Sequence, residues 1–348
     1  VKLVTDPTLL KSVRRPVVLA AGFFDGVHRG HARVIEKARA RASELDGEAW
    51  ILSFDMHPLK LLRPEIAPRM LTSTGHKLLL FERMGVDGCI LLPFTRPLAA
   101  MEARAFLEML TGCLPSLREM HVGRDWRFGR GGAGDVPLLR ALGRQHGFGV
   151  RVAPPVMRGG SPVSSTRIRE EIELGRLVPA RAMLGRPFSV MGTVIPGRQV
   201  GRQLGFPTAN LESHNEILPP CGVYAVHAWL DGIMLDGVAN YGTRPTFRAA
   251  AGSRPVLEMH LLDFGGNVYG RQVEIFFVAR LRPEKTFGST AELAGQLADD
   301  VRAARRMLAQ KNGQKNIKES LYTFCATHYS PATKVIKKRY NKGNRLAV

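Results

Sequence analysis

The chain has 348 residues, 45% hydrophobic and 23% charged, and carries a formal net charge of +20. That length is more than one core usually organises, so two domains are expected, and the balance is ordinary for a soluble globular protein. No apolar run reaches bilayer-spanning length, and VKLVTDPTLLKSVRRP at the start lacks the apolar core of a secretory signal, so a cytoplasmic protein without a membrane partner is expected.

From residue 16 short apolar runs alternate with amphipathic stretches. PVVLAAGFF reads as a buried strand and HARVIEKARARASEL as a helix. AWILSF (strand), KLLLFERMG (helix ended by Gly85) and GCILLPF (strand) follow. MEARAFLEML (helix), REMHVG (strand), PLLRALGRQHG (helix) and FGVRVAPPV (strand) complete the series. Five apolar strands alternating with helices predict a parallel sheet covered on both faces. SSTRIREEIELG and PARAMLG predict two further helices. From about residue 187 the segments turn strand-like, with hairpins expected at Asp231-Gly232 and around Gly265-Gly266-Asn267, which predicts an antiparallel barrel. TAELAGQLADDVRAARRMLAQ reads as a closing helix. The expected division is therefore 1–185, 186–310 and a basic tail, 311–348, read as a disordered extension.

The charge follows that division. The first 310 residues rely on Arg and hold only six Lys, whereas the tail holds seven Lys and two Arg. The diffuse surplus suits anionic ligands such as nucleotides. Cys89, Cys113, Cys221 and Cys325 form no CxxC pair, so they are expected to be free and mostly buried thiols.

GFFDGVHRGH, residues 22–31, follows the first apolar strand and opens a helix, where open α/β sheets bind ligands. Gly22 and Gly26 would allow close backbone approach, and Gly30 and His31 would open the helix, whose free N–H groups favour an anion. His28 and His31 suit a metal, a proton shuttle or a phosphate clamp. A metal needs a third ligand, and no suitable cluster is evident; a clamp needs only donors. A second helix start, SSTRIR at 164–169, offers the hydroxyls of Ser164, Ser165 and Thr166 beside Arg167 and Arg169.

These two elements, with SFDMHP (53–58) and VGRDWRFGRGGAGD (122–135), resemble the adenylyltransferase half of the bacterial bifunctional riboflavin kinase/FAD synthetases. The resemblance implies a Rossmann-like nucleotidylyltransferase domain and the reaction FMN + ATP → FAD + pyrophosphate. It implies that His28, His31 and Arg169 act on the triphosphate. Gly22, Phe24, Asp25, Gly26, Ser164, Ser165, Thr166 and Arg167 would bind ATP, and Asp125 the flavin. Met56, Gly75-His76 and Gly132 depart from the family pattern.

In GTVIPGRQVGRQLGFPTANL (192–211), Thr208 and Asn210 are two apart, so in an extended segment they face the same way. Hydroxyl and amide oxygens there suit one Mg2+ and its phosphates, with Gly197, Arg202 and Gly205 along the phosphate path. With GVANYGTRPTF, LEMHLLDFGGNVYG and LRPEKTF, this stretch is similar to riboflavin kinase domains. That similarity implies that Glu258 is the general base toward the riboflavin 5′-hydroxyl, and that Arg282 and Glu284 border the flavin. The implied partners are riboflavin, FMN, FAD, ATP and pyrophosphate; no nucleic acid is expected, and a homo-oligomer is left open. Two alternatives stand beside this reading. One is a kinase whose FAD synthesis is impaired through the departing loops, and the other is an RNA-binding protein using the tail.

Overall fold

The structure is a computed structural model that describes residues 1–197, 201, 204–242, 255–309, 311–312 and 315–326. Arg202 and residues 327–348 lie outside the described residues. The chain forms two compact units. Among the described residues, the first comprises 1–69 and 74–164, and the second Met70–Ser73 with 165–326.

Val17–Ala21 (β2) is buried at every position, as an apolar run covered on both faces must be. It lies inside a parallel sheet with β1 (Lys2–Val4), β3 (Glu48–Phe54), β4 (Gly88–Leu92), β5 (Leu117–Gly123) and β6 (Gly149–Ala153). The order is β1-β4-β3-β2-β5-β6. The helices between them are α1 (Arg29–Glu44), α2 (Pro58–Leu62), α3 (Thr74–Arg83), α4 (Arg96–Ala100), α5 (Ala103–Cys113) and α6 (Val136–His146). On α1 the buried positions Val34, Ile35, Ala38 and Ala42 form one helical stripe. α6 begins where the Asp135 side chain accepts from Leu138 N–H and stops at left-handed Gly147. Leu19, Trp50, Phe106, Leu110, Met120 and Leu139 meet in the core. The edge strand β1, only three residues long, is an addition to the five predicted strands. The chain runs outward from β2 through β3 to β4, then returns to β5 on the other side of β2. The order thus reverses between β2 and β5, beside the stretch that contains His28 and His31.

A short ribbon, β7 (Met157–Arg158) and β8 (Ser161–Pro162), leads to the second unit. Its first helices are α7 (Ser165–Glu173) and α8 (Leu177–Leu184). The predicted boundary at 185/186 therefore differs from the division of the compact units at 164/165, because α8 packs on two barrel strands, Phe188–Ile195 and Gln272–Arg282. The barrel consists of β9 (Phe188–Ile195), β10 (Ala209–Ser213), β11 (Gly222–Leu230), β12 (Ile233–Gly242), β13 (Val256–Leu261) and β14 (Gln272–Arg282). Its order is β10-β13-β12-β11-β14-β9, closed by β9 on β10, so no strand edge is left unpaired. The predicted Asp231-Gly232 turn joins β11 to β12, with φ of 47° and 93°. The second predicted hairpin, at 265–267, is a correction. β13 pairs with β10 and β12, and β14 with β11 and β9. Gly270 N–H donates to Val194 O, and Val194 N–H to Arg271 O, which carries the chain across to β9.

The helix Thr290–Ala309 lays Ala304 and Leu308 on Val223, Ala225 and Val238. The disordered tail expected from 311 does not hold for its first part. Ile317–Ala326 is helical, and Ile317, Leu321 and Cys325, four apart, pack on Trp229, Met234 and Phe276. That spacing is an apolar helix stripe inside a polar segment. Of the four free cysteines, Cys89 and Cys325 are buried, and Cys113 and Cys221 are partly exposed. No helix of the described residues is long and apolar enough to cross a membrane.

Candidate active sites

The first unit's site begins where β2 ends. Gly22 N–H still pairs with Leu52 O on β3. Then the backbone turns sharply, with φ of 56° at Phe24, 77° at Gly26 and 40° at Val27. Positive φ is costly for Phe and more so for β-branched Val, and such strain collects at functional turns. The Phe24 ring packs against Phe81 and His31. It also fills the space a Gly22 side chain would take, 2.8 Å from that Cβ position. Phe24 therefore shapes the turn from inside. Asp25 is buried beside it.

His28 is the N-cap of α1. Its Nδ1 accepts from the N–H of Gly30 (3.1 Å) and of His31 (3.3 Å). This corrects the expectation that those N–H groups await an anion: the protein's own imidazole already holds them. With Nδ1 an acceptor, the ring proton is assigned to Nε2, the position from which His28 would donate to a phosphate. His28 and His31 stack at 3.5 Å with an 18° interplanar angle. His31 Nδ1 is buried without a hydrogen-bond partner. Burial, then the charges of His28 and Lys77, push His31 well below the usual histidine range. It is neutral near pH 7, and so suited to donating one N–H without adding a second buried cation.

Ser164 closes the first unit, and the Val163 carbonyl passes 3.8 Å from the Cβ position of Gly30. In the second unit α7 opens at Ser165. Ile168 and Ile172 are its buried face, and Arg167 and Arg169 are half-buried beside them. Asp125 is exposed just past β5.

The second unit's site lies on the barrel. Asn210 on β10 stands in register with Glu258 on β13, and Glu258 with Asn240 on β12. Directly opposed residues share one face, so these three form a row across three strands. Asn210 is buried, while Glu258 and Asn240 are half-buried. Gly197 lies against Asn210 of this row, and Gly201 against Phe206 and Thr208. A Cβ at Gly197 would sit 2.9 Å from Asn210 Nδ2. One at Gly201 would sit 2.4 Å from Phe206 O and 3.2 Å from Thr208 Oγ1. Only glycine lets the backbone approach so closely. Gly205, with φ of 83°, turns the chain back toward Thr208.

Two family models match the chain in series: FAD synthetase over residues 10–167 and riboflavin kinase over 184–308. The bifunctional riboflavin kinase/FMN adenylyltransferase of Escherichia coli K12 is 37% identical over 289 residues, covering 83% of this chain and 91% of that protein. The chain belongs to the bifunctional riboflavin kinase/FMN adenylyltransferase family. The Pseudomonas fluorescens member is 36% identical over 86% of this chain and 96% of its own length. A solved structure titled as a macrolide-efflux protein from Streptococcus pneumoniae is 25% identical, with a TM-score of 0.74, covering 88% of this chain and 99% of that one.

Within this bifunctional family frame, two flavin-side expectations find particular places. The Arg282 guanidinium is taken up by Asp300, through Nε at 2.8 Å and Nη2 at 2.7 Å, and its Nη1 donates to Pro283 O. The structure thus gives Arg282 a tie between β14 and the helix Thr290–Ala309. The exposed Glu284 carboxylate lies against Gly242 at the end of β12.

Two residues of interest escaped the sequence reading. Asn240 lay inside the quoted GVANYG, but nothing local showed that it completes the Asn210–Glu258 row. Lys77 is buried under the first site. Its Nζ donates to Phe54 O (2.8 Å), Phe23 O (3.2 Å) and Ser53 Oγ (3.2 Å) and lies 4.3 Å from the Phe23 ring centroid. A lone Lys on an amphipathic helix carries no signal of such a position.

Proposed function

We propose that this chain makes FAD in two steps, phosphorylating riboflavin on the barrel and adenylylating FMN on the parallel-sheet unit. The observation that carries this reading is the pair of family matches in series, each falling on a unit whose local geometry suits its half of the chemistry.

On the barrel, the riboflavin 5′-hydroxyl attacks the γ-phosphorus of ATP, a phosphoryl P–O bond forms, and ADP leaves. Glu258 takes the hydroxyl proton, a role suited to a half-buried carboxylate flanked by amides. The glycine cradle over Thr208 and Asn210, which a Cβ would fill, fits a phosphate chain, and their oxygens fit a hard cation. Thr208 and Asn210 would hold Mg2+, which when bound offsets phosphate charge. Arg202 belongs to this proposal by motif alone.

On the parallel-sheet unit, an FMN phosphate oxygen attacks the α-phosphorus of ATP and the bond to the pyrophosphate oxygen breaks. No protein nucleophile is needed, so positioning and charge stabilisation supply the rate. His28 Nε2 and His31 donate to the triphosphate as charge moves toward pyrophosphate. Gly22, Gly26 and the strained turn set the approach. Ser164, Ser165, Thr166, Arg167 and Arg169 are assigned to the same ATP by motif, and Asp125 to the flavin. A cytoplasmic location, with its supply of ATP, is part of the proposal.

The test is direct. Purified protein with riboflavin, ATP and Mg2+ should yield FMN and then FAD on chromatography. Glu258→Ala should abolish phosphorylation yet still convert supplied FMN to FAD, and His31→Ala should do the reverse. Loss of both activities in either folded variant would overturn the two-site assignment. FMN accumulating without FAD would favour the impaired-synthetase alternative.

A further inference from the structure

We propose that Lys77 is a positioning residue for adenylyl transfer, one that pins the ends of β2 and β3 beneath the His28–His31 pair. The inference rests on the adenylyltransferase reading above and extends it to a residue outside its motifs.

Lys77 is 3% exposed, and its three donors go to neutral oxygens, not to a carboxylate. As a structural device this is expensive. A methionine of similar length would fill the space without desolvating a charge. The three acceptors explain why an ammonium stands there. Phe23 O ends the β2 side, and Ser53 Oγ and Phe54 O end the β3 side. Ser53 Oγ also donates to Phe23 O at 3.0 Å. An ammonium has three N–H donors, one for each oxygen; a neutral amine has two. The protonation state of Lys77 is therefore matched to the closed arrangement.

What Lys77 holds is the first residue of the strained turn. Phe23 leads directly into Phe24 and Val27, whose φ values of 56° and 40° need support from their surroundings. That turn delivers His28 to its cap and the two imidazoles to their stack. The charge also reaches His31, where it adds to burial in keeping the ring neutral.

Four titratable groups face Lys77: Cys89 from β4, Asp25 from the turn, Asp55 from the end of β3, and His31 from α1. Burial lowers Lys77 to about 8, against the opposing pull of Cys89, Asp25 and Asp55. In the free enzyme the ammonium is thus present at pH 7 and lost above about pH 8. Bound triphosphate would stabilise it and move the loss to higher pH.

The experiment measures FAD formation from supplied FMN and ATP by the full chain between about pH 6.5 and 9.5, with riboflavin phosphorylation by the same preparation as control. We expect kcat/KM for FAD formation to fall about tenfold per pH unit on an alkaline limb that begins near pH 8. In kcat the limb should start higher, and phosphorylation should show none. Lys77→Met should lower kcat at pH 7 at least ~10-fold and abolish the limb. Lys77→Arg, charged throughout this range, should restore part of the rate without the limb. A flat wild-type profile, or Lys77→Met within about twofold of wild type, overturns the role of Lys77 alone. If Lys77→Met does not fold, the wild-type profile decides. Absence of FAD at every pH overturns the functional reading and this inference with it.

Discussion

Replacing Asp300 by alanine tests what Arg282 is for. The Asp300 carboxylate takes both forks of the guanidinium and also accepts from Gln296 Nε2 at 3.1 Å. Asp300 is 3% exposed and the Arg282 side chain 19%. Removing one partner of a buried pair costs ~3–5 kcal/mol because the other charge is stranded. Arg282 keeps a little water and its bond to Pro283 O, so the expected loss is ~2–4 kcal/mol. For a unit of this size that lowers the melting midpoint by on the order of 10 °C. The two units need separate readouts, since a two-unit chain has no single midpoint. Graded heating followed by residual assays provides them. Riboflavin phosphorylation should be lost about 10 °C earlier in Asp300→Ala, while FAD formation from supplied FMN holds. Arg282→Met combined with Asp300→Leu should recover most of the loss, because an apolar pair of similar volume needs no desolvation. The reasoning is refuted if Asp300→Ala shifts stability by less than ~0.5 kcal/mol. It is equally refuted if the variant is stable but binds riboflavin poorly, which would return Arg282 to the flavin.

Two further substitutions separate structure from chemistry. His28→Asn keeps an acceptor for the Gly30 and His31 N–H groups but removes the Nε2 donor. Stability should therefore stay within ~0.5 kcal/mol, while FAD formation drops ~10²–10³-fold. Wild-type rates in this variant would make His28 a cap and nothing more. Leu321→Ala removes the central, 2% exposed anchor of the helix Ile317–Ala326. Docking should weaken by ~2 kcal/mol, read as faster tryptic cleavage at Lys318 and a change in Trp229 fluorescence. Unchanged cleavage would count against the packing on Trp229, Met234 and Phe276.

Much of this protein was legible without coordinates. Strands alternating with amphipathic helices marked the parallel-sheet unit, and strands at short spacing without helices between them marked the barrel, because a parallel connection needs a crossover and an antiparallel one only a turn. The Asp231-Gly232 turn was readable because its two residues carry their own φ preference. The 265–267 hairpin was misread for the complementary reason: Gly265-Gly266-Asn267 marks a turn but cannot say which strand the chain pairs with next. The tail misled through composition. Seven lysines outweighed a three-residue stripe, Ile317, Leu321 and Cys325, whose meaning depends on an apolar patch, Trp229, Met234 and Phe276, distant in sequence.

What the sequence by itself determined is local. It placed His28 and His31 at a strand-to-helix turn, and set Thr208 and Asn210 two positions apart where a strand begins, because helix and strand periods relate residues a few positions apart. Tertiary structure alone decided what those residues meet. The reversal of strand order beside β2 puts the end of that strand at the kind of position where open α/β sheets bind ligands. Register across β10, β13 and β12 aligns Asn210, Glu258 and Asn240. Burial turned Lys77 from a surface-helix lysine into a three-armed tie, and Asp300 claimed Arg282. Each of these depends on chain segments distant in sequence meeting when the core closes, and no local period encodes that meeting.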